Sequence, residues 1–396
     1  MTGLLIALAL LPLLLPAFSL LLLTLAALTA RTNPSQGFSP PSTLPRLTIL
    51  VPAHNESIHV LPTLANLLAQ LGPHDRLLLV ADNCSDDTAS LARQAGAEVI
   101  ERNHPTLRGK GYALAFGVDY LRADPPEVVL VVDADCFLSE GAAAAIGRDC
   151  QQSGKPVQML DLMNAQVGSS LRFRVLEFAM LVKNKVRPLG SYRLGRACHL
   201  MGTGMALPWN LIATAELATG HIAEDMKLGV ELTKAGHAPR FLVTAQVSSA
   251  FVNDSGVAKV QKSRWEHGHL ATLIEELPSL LRSALRKRDP ALIVLALDLM
   301  IPPISFYFLL LTALWLATAL TAGLWPVLMP ALVLSTLAVG CFSLATALAW
   351  FFFGRHLLSA RELLSTPLYA LWKLPVYLAF FMKKRSAWIR TNRDSD

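Results

Sequence analysis

The sequence predicts an α/β domain with a mostly parallel sheet, placed between apolar segments long enough to cross a membrane. Short apolar strands alternate with stretches of helical periodicity through the middle of the chain. The two ends are more apolar than this middle, and the 396 residues together have a mean hydropathy of +0.43. Polar side chains also cluster directly after the strands. Together these observations predict an α/β domain held between transmembrane helices.

The N-terminal segment is the first candidate membrane helix. Residues 4–30 carry no charge and exceed the roughly 20 residues that cross a bilayer core. A cleaved signal peptide would have a basic start and an apolar region of about 7–15 residues, whereas this segment is longer and follows Met-Thr-Gly. We therefore expect a retained transmembrane helix in residues 1–30. The polar, proline-rich residues 31–46 are expected to form a linker.

The middle of the chain, residues 47–280, is expected to fold as one domain. Strands joined by helices imply a parallel sheet that is covered on both faces, and ligands bind such sheets beyond the carboxyl ends of the strands. The predicted elements, in order, are a strand at 47–53, a helix at 58–71, a strand at 76–83, helices at 86–96 and 111–122, and an apolar run that begins at Glu127.

Residues 281–396 are expected to form a second membrane region. The apolar runs 291–320 and 325–353 are each predicted to span the membrane. Pro302 and Pro303 interrupt the first run, but neighbouring helices can satisfy the backbone groups that proline frees. The run 363–382 either crosses the membrane or lies along its surface, and the basic tail after it is expected in the cytosol.

Basic residues orient this arrangement. Arg31 follows the first apolar segment, the basic stretch 282–288 precedes the second, and Arg355 follows the third. Because cytoplasmic loops carry an excess of lysine and arginine, we expect all three sites in the cytosol and the N-terminus outside. The net charge of +6 follows partly from these basic flanks, and cations that cluster at membrane edges disfavour nucleic acid as a partner.

Two further patterns say less about chemistry. Five scattered cysteines without a CxxC spacing predict neither a disulfide framework nor a zinc site, and reduced cytosolic thiols fit them. Residues 169–196 are apolar with regularly placed cations. They are consistent with an amphipathic helix on the membrane surface, a segment that steers an anionic acceptor, or an ordinary solvated basic face.

Two aspartates, Asp133 and Asp135, follow the apolar run that begins at Glu127. With Ala134 between them, an extended backbone would direct both side chains to the same side. Two carboxylates held close together repel each other unless they share a proton or a cation. A hard divalent cation, bound by both carboxylates and by substrate phosphates, meets that need. A solvated turn after a strand is the alternative.

Six polar clusters occur in order along the domain. They are VPAHNE (51–56), ADNCSDDT (81–88), RGKGYAL (108–114), GTGMALP (202–208), AEDMKLG (223–229) and QKSRW (261–265), and the two aspartates fall between the third and the fourth. In this order and spacing the clusters resemble those of the membrane-embedded family 2 glycosyltransferases, which share the GT-A fold and include cellulose, chitin and hyaluronan synthases. The resemblance covers roughly residues 47–270.

The resemblance implies a nucleotide-sugar donor, with UDP as the expected nucleotide. Asp82 occupies the position at which family members bind the nucleotide, while Asp86 or Asp87 would cap the following helix. Asp133 and Asp135 would hold a Mg²⁺ or Mn²⁺ ion. The complete set expected to bind the donor is Pro52, Ala53, Glu56, Asp82, Lys110, Asp133, Gln261 and Arg264.

The resemblance also implies which residues act on the acceptor. Asp225 would take the proton of the attacking hydroxyl, with Glu224 assisting or shaping the pocket. The family often has threonine before this acidic pair, where the chain has Ala223. Attack opposite the leaving group would invert the anomeric carbon. The residues expected to contact the acceptor are Trp265, Gly202, Thr203 and Gly204.

These features favour a glycosyltransferase of the bacterial inner membrane that extends a polysaccharide or a lipid-linked acceptor in exopolysaccharide synthesis. Repeated and single addition both stay open. The Q-x-x-R-W cluster favours repeated addition, whereas the few C-terminal spans argue against a complete secretion channel without an export partner or self-association. A non-catalytic scaffold subunit is the alternative, although its motifs would be expected to degenerate. A transporter would need more spans and polar sites near the bilayer midplane.

Overall fold

The computed structural model describes residues 2–30, 44–166, 168–221, 223–251 and 255–372. The strands are β1 (Leu47–Ala53), β2 (Arg76–Asp82), β3 (Glu98–Arg102), β4 (Val128–Val131), β5 (Phe137–Leu138), β6 (Val157–Asn164), β7 (Met205–Pro208) and β8 (Arg240–Ala250). The α-helices are α1 (Thr2–Leu28), α2 (Val60–Leu68), α3 (Thr88–Gln94), α4 (Lys110–Leu121), α5 (Ala142–Ser153), α6 (Leu171–Leu181), α7 (Arg187–Gly195), α8 (Trp209–Ile212), α9 (Glu224–Lys234), α10 (Ser255–Lys287), α11 (Pro290–Leu299), α12 (Ile304–Leu324), α13 (Met329–Ala349) and α14 (Ala360–Trp372).

The described residues divide into two compact units. The α/β unit lies within Arg31–Asn164 and Arg196–Val252 and contains the eight strands. The helical unit lies within Met1–Ala30, Ala165–Gly195 and Asn253–Ser386 and contains the long apolar helices. Two parts of the expected domain 47–280, namely α6 with α7 and α10, therefore group with the helical unit.

The eight strands form one sheet in the order β3-β2-β1-β4-β7-β6-β8-β5. β1 pairs in parallel with β2 and β4, β2 with β3, and β6 with β8. β7 pairs antiparallel with β4 and β6, and β5 pairs antiparallel with β8. The prediction of an α/β fold with a mostly parallel sheet is confirmed. The strand β1 also coincides with the predicted strand 47–53.

Side chains of the central strands pack alternately on the two faces of the sheet. Ile49 and Val51 of β1 lie in a core with residues of α2, α3 and α5, whereas Leu50 lies in a second core with residues of α4, α8 and α9. All three β1 side chains are fully buried. A sheet that is covered on both faces leaves the carboxyl ends of its parallel strands as the place where a ligand can bind.

Three helices of the described chain are long and apolar enough to cross a membrane: Leu8–Leu28, Ile304–Leu324 and Pro326–Gly354. The first and third coincide with predicted membrane segments. The prediction of one continuous span over 291–320 is wrong, because this run divides into α11 and α12, with Pro302 and Pro303 between them. Proline has no amide hydrogen to continue the helix. The run 363–382 is described only as far as the end of α14, and its remainder lies outside the described residues.

Within the helical unit, close packing and a buried ion pair fix α7. A Cβ atom at Gly190 would lie 2.0 Å from the carbonyl oxygen of Leu23 in α1, so only glycine permits this approach. Arg187 Nε lies 2.6 Å from Asp298 Oδ1, and both side chains are buried. The cations of 169–196 are therefore not all part of a solvated basic face.

Candidate active site

The carboxyl ends of β2, β1 and β4 lie side by side and bring the predicted polar clusters together. Ala53, the last residue of β1, is opposite Ala81 in β2, and Val131, the last residue of β4, is opposite Leu50 in β1. Asp82 is the last residue of β2. Because the three strands are parallel, the loops that follow them open at one edge of the sheet.

Asp82 is buried and accepts hydrogen bonds from two side chains. Arg102 Nη1 lies 2.6 Å from Asp82 Oδ1, and Asn83 Nδ2 lies 2.9 Å from the same oxygen. Arg102 ends β3 directly opposite Asp82 in the sheet. Its Nη2 donates to the Leu107 carbonyl oxygen at 2.9 Å, and its guanidinium carbon lies 5.5 Å from the centre of the Tyr112 ring. Arg102 thus connects Asp82 to the loop before α4 and to α4 itself.

The end of β1 and the loop after it carry three predicted donor contacts, Pro52 and Ala53 in the strand and Glu56 in the loop. Ala53 is buried, whereas Pro52 and Glu56 are half-buried. The Glu56 amide donates to the Thr88 hydroxyl at 2.8 Å, and Asp86 Oδ1 accepts a hydrogen bond from the Thr88 amide at 3.1 Å. The N-cap of α3 is Asp87, whose side chain makes no capping hydrogen bond. Asp86 stabilises the start of α3 from the preceding position, and its Oδ2 accepts from the Ser57 amide at 3.0 Å, which connects this start to the loop after β1.

Asp133 and Asp135 follow β4 and lie beside Cys136. One ligand atom from each of these residues lies within 4.8 Å of the other two. The Asp133 amide donates to the Thr203 hydroxyl at 3.1 Å. Burial raises the pKa of Asp133 above its ordinary value; the charge of Asp135 raises it further, and the ammonium of Lys110 lowers it.

The donor atoms of this group fit a hard divalent cation. Carboxylate oxygens are the side-chain ligands that such ions prefer. Burial, with the negative charges of Asp135 and Asp133, raises the pKa of the Cys136 thiol well above its ordinary value. Mg²⁺ and Mn²⁺ prefer carboxylate oxygens to sulfur ligands, so Asp133 and Asp135 are the side chains of this group that suit the ion.

Lys110 lies against the same carboxylates at the first position of α4. Its ammonium forms an ion pair with Asp133 and donates to the Gly202 carbonyl oxygen at 3.0 Å. Burial disfavours the charged form, but the carboxylates of Asp133, Glu224 and Asp225 raise the pKa of Lys110 above its ordinary value. The ammonium is therefore a fixed positive charge within the site.

The loop before β7, residues 196–204, is called here the Gly202 loop. It brings Lys110 and Asp225 together. Gly202 has a φ of +88°, and a Cβ atom on it would lie 3.1 Å from Asp225 Oδ2 and 3.3 Å from Lys110 Nζ. Gly204, at φ +62°, packs against β6 and β8, where a Cβ atom would lie 2.5 Å from Met159 Cγ. Glycine at both positions therefore permits the close approach that places the loop in the site.

Asp225 and Glu224 lie in the first turn of α9. The positive end of the helix dipole favours carboxylates at this position. Burial and the charge of Asp225 raise the pKa of Glu224 to about 7, although the ammonium of Lys110 lowers it. The site thus contains, beside the predicted base, a carboxyl group that exchanges its proton near neutral pH.

Two positioning residues were missed by the sequence analysis. Arg102 holds Asp82, as described above. Gln158 is fully buried; its Nε2 donates to the Thr203 carbonyl oxygen at 2.9 Å and its Oε1 accepts from the Met201 amide at 2.9 Å. The sequence signals are a charged residue at the end of β3 and an amide residue in the apolar strand β6. These signals do not identify the residues that Arg102 and Gln158 contact, because those contacts depend on the strand register.

Three predicted site residues lie in α10, which belongs to the helical unit. Trp265 is half-buried. The side chains of Gln261 and Arg264 lie outside the described residues. Their expected contacts with donor and acceptor stay predictions.

Comparison with known families shows to which family the chain belongs. The family model described as "Glycosyltransferase like family 2" matches residues 45–268, which is more than half of the chain. The chain belongs to this family. The matched range of this family 2 glycosyltransferase begins just before β1 and includes all eight strands and every residue placed above in the α/β unit.

Curated relatives of this glycosyltransferase are similar to it over only part of their own length. The chain is 25% identical over 249 residues to the probable glycosyltransferase YdaM of Bacillus subtilis, covering 59% of this chain and 57% of that relative. It is 33% identical over 105 residues to the 4,4'-diaponeurosporenoate glycosyltransferase of Staphylococcus haemolyticus, covering 25% of this chain and 27% of that one. The matches therefore span little more than half of the first relative and about a quarter of the second.

Among solved structures, the glycosyltransferase is similar to the mannosyltransferase PcManGT of Pyrobaculum calidifontis, which was solved in complex with GDP-mannose and Mn²⁺. The TM-score is 0.55 at 17% sequence identity, and the similarity covers 88% of this chain and 98% of that chain. At this identity the similarity shows the fold alone. It confirms the predicted GT-A fold.

Proposed function

We propose that this protein transfers a sugar from a UDP-sugar to a hydroxyl of a polysaccharide or lipid-linked acceptor, with inversion at the anomeric carbon. The observation that carries the proposal is the convergence of Lys110, Asp133 and Asp225 at Gly202, at the carboxyl edge of the sheet. Sugar transfer needs a group that holds the donor diphosphate and a base near the acceptor. These side chains can supply both.

The donor would lie along the carboxyl ends of β2, β1 and β4. Asp82 offers a carboxylate to an N–H group of the nucleobase, and the backbone of Pro52 and Ala53 borders the nucleoside, with Glu56 helping. Lys110 supplies positive charge to the diphosphate. Bound by Asp135 and Asp133, Mg²⁺ or Mn²⁺ supplies Lewis acidity at the diphosphate. The similar mannosyltransferase was solved with a nucleotide sugar and Mn²⁺, which supports this class of donor and ion.

The acceptor would approach from the Gly202 loop. Asp225 takes the proton of the attacking hydroxyl as the new bond forms on the face of the sugar opposite the leaving group. Glu224 lies next to this base and shapes the charge around it. Gly202, Thr203, Gly204 and Trp265 are the proposed acceptor contacts, and Gln261 and Arg264 are the further residues proposed to bind the diphosphate.

The reaction is proposed to take place at the cytosolic face of a bacterial inner membrane, in exopolysaccharide synthesis. Three candidate spans support this location, with Arg31 shortly after the first and Arg355 directly after the third. Product length after incubation with labelled donor separates repeated from single addition, since one sugar per acceptor eliminates a polymerase. Repeated addition would call for an export partner or self-association.

The proposed function is tested by nucleotide release from the full chain in detergent. A panel of UDP-glucose, UDP-N-acetylglucosamine, UDP-galactose and GDP-mannose is offered with Mn²⁺, with Mg²⁺ or with chelator, in the presence of membrane lipid extract as acceptor source. We expect release of UDP from at least one donor, and only when a divalent ion is present. No release from any donor under any condition would favour the scaffold alternative.

A further inference from the structure

Lys110 is held on one of the two carboxylates that fit a divalent cation. Its ammonium forms an ion pair with Asp133 and donates to the Gly202 carbonyl oxygen at 3.0 Å. The Lys110 side chain is 22% exposed, so protein rather than water surrounds most of it. The ammonium is thus a built-in cation at the place where an external one would bind.

The charges of this group are partly balanced before any ion is added. Asp133 and Asp135 carry two carboxylates whose oxygens lie within 4.8 Å of each other, and Lys110 compensates one of them. A divalent cation bound by both carboxylates would lie beside the ammonium. Like charges at such short range repel strongly where water is partly excluded. The ammonium at Asp133 therefore weakens binding of the cation, and its movement away from Asp133 would strengthen that binding.

A nucleoside diphosphate offers the ammonium another partner. Its phosphate oxygens can accept hydrogen bonds from the ammonium of Lys110, and they can also serve as oxygen ligands of the cation. We propose that Lys110 is an internal counter-ion of Asp133, so that a divalent cation binds Asp133 and Asp135 tightly only together with a nucleoside diphosphate. This inference rests on the proposed function, since it takes the carboxyl edge of the sheet to be the donor site.

Coupling between the two ligands follows from this arrangement. The nucleotide raises the affinity for the cation, and by linkage the cation raises the affinity for the nucleotide by the same factor. Removal of the ammonium should weaken the coupling chiefly because it strengthens binding of the cation alone.

The test is Mn²⁺ binding to the full chain in detergent, measured from the electron paramagnetic resonance signal of free Mn²⁺, with and without saturating UDP or GDP. For the wild type we expect UDP to tighten Mn²⁺ binding by about 10- to 100-fold. Lys110→Met should bind Mn²⁺ without nucleotide about tenfold more tightly than the wild type. Lys110→Arg, which keeps the charge, should bind as weakly as the wild type. Lys234→Met, which removes a lysine that pairs with Glu231 along α9, is the matched control and should change neither value.

The outcomes separate this inference from the proposed function. If Lys110→Met and the shorter Lys110→Gln both bind Mn²⁺ alone no more tightly than a wild type that shows coupling, the counter-ion role is overturned while the donor site stands. If neither UDP nor GDP tightens Mn²⁺ binding to the wild type, the donor site itself is wrong, and the inference fails with it.

Discussion

At the scale of single residues, Arg102 organises two parts of the site. It places a positive charge against the buried Asp82 carboxylate from the neighbouring strand, and it stacks near Tyr112, two residues after Lys110. Removing the charged partner of a buried carboxylate is strongly destabilising, because the remaining charge is buried without compensation. Arg102 therefore orients the Asp82 carboxylate while it contacts the start of α4.

Replacement of Arg102 by methionine should raise KM for the donor by about tenfold, because Asp82 loses a charge-assisted hydrogen bond that orients it. The change in kcat should be smaller, since Asp225 is untouched. Arg93→Met is the matched control, because Arg93 pairs with Glu101 of the same strand β3 but both side chains are half exposed. Steady-state kinetics with varied donor measure both values. Equal KM values for the two variants would rule out this role for Arg102.

Glu224 predicts a pH-dependent stability. Its pKa is raised from the ordinary 4.5 to about 7, chiefly by burial. Between these values the folded protein keeps a proton that the unfolded chain releases, so this group makes folding progressively less favourable as the pH rises from 4.5 to 7. Above pH 7 the full destabilisation is present, and below 4.5 it is absent.

Glu224→Gln should therefore have a higher Tm than the wild type at pH 8, and this difference should shrink towards zero near pH 4.5. Thermal unfolding in detergent without added metal measures it. Glu231→Gln, on an exposed part of the same helix, is the control and should show no such trend. A Tm difference for Glu224→Gln that stays constant across this pH range would contradict the assigned pKa.

At the scale of elements, apolar length and proline position explain most of the helical unit. The length of the uncharged N-terminal run predicts helix α1. The position of Pro303 predicts where α12 begins, since α12 starts at the next residue. The division of 291–320 was missed because proline is tolerated inside membrane helices, and only the neighbours decide whether the helix continues. The short strands β5 and β7 were missed because two and four residues carry too little pattern to identify.

The buried ion pair between α7 and α11 gives a prediction for these elements. Asp298→Asn should reduce the stability by about 3–5 kcal/mol, because it leaves the buried guanidinium of Arg187 without its charged partner. The double variant Arg187→Met/Asp298→Leu should recover most of this loss, since an apolar pair of similar volume needs no compensating charge. Thermal unfolding in detergent compares the three proteins. A double variant as unstable as the single one would show that the pair acts through something other than its charges.

At the scale of the whole molecule, the sequence was sufficient for the class of fold and for the place of most site residues. Short apolar runs located β1, β2 and β4, and polar clusters at strand ends located Asp82 and Asp133, whereas Asp225, in the first turn of α9, was assigned from the family resemblance. Partner choice was not predictable, because the contacts of Arg102 with Asp82 and of Lys110 with Asp133 depend on strand register and loop path. The grouping of α6, α7 and α10 with the helical unit depends on long-range packing, which a local pattern does not encode.

The most direct test of the central claim compares donor binding and sugar transfer in the Asp225→Asn protein. Asp119→Asn is the control, since Asp119 pairs with Arg122 on an exposed part of α4. With the donor that the panel identifies, we expect transfer by Asp225→Asn to fall by about 10³-fold, while its affinity for that donor stays close to that of the wild type. Transfer by Asp225→Asn at the wild-type rate would contradict the assignment of Asp225 as the base.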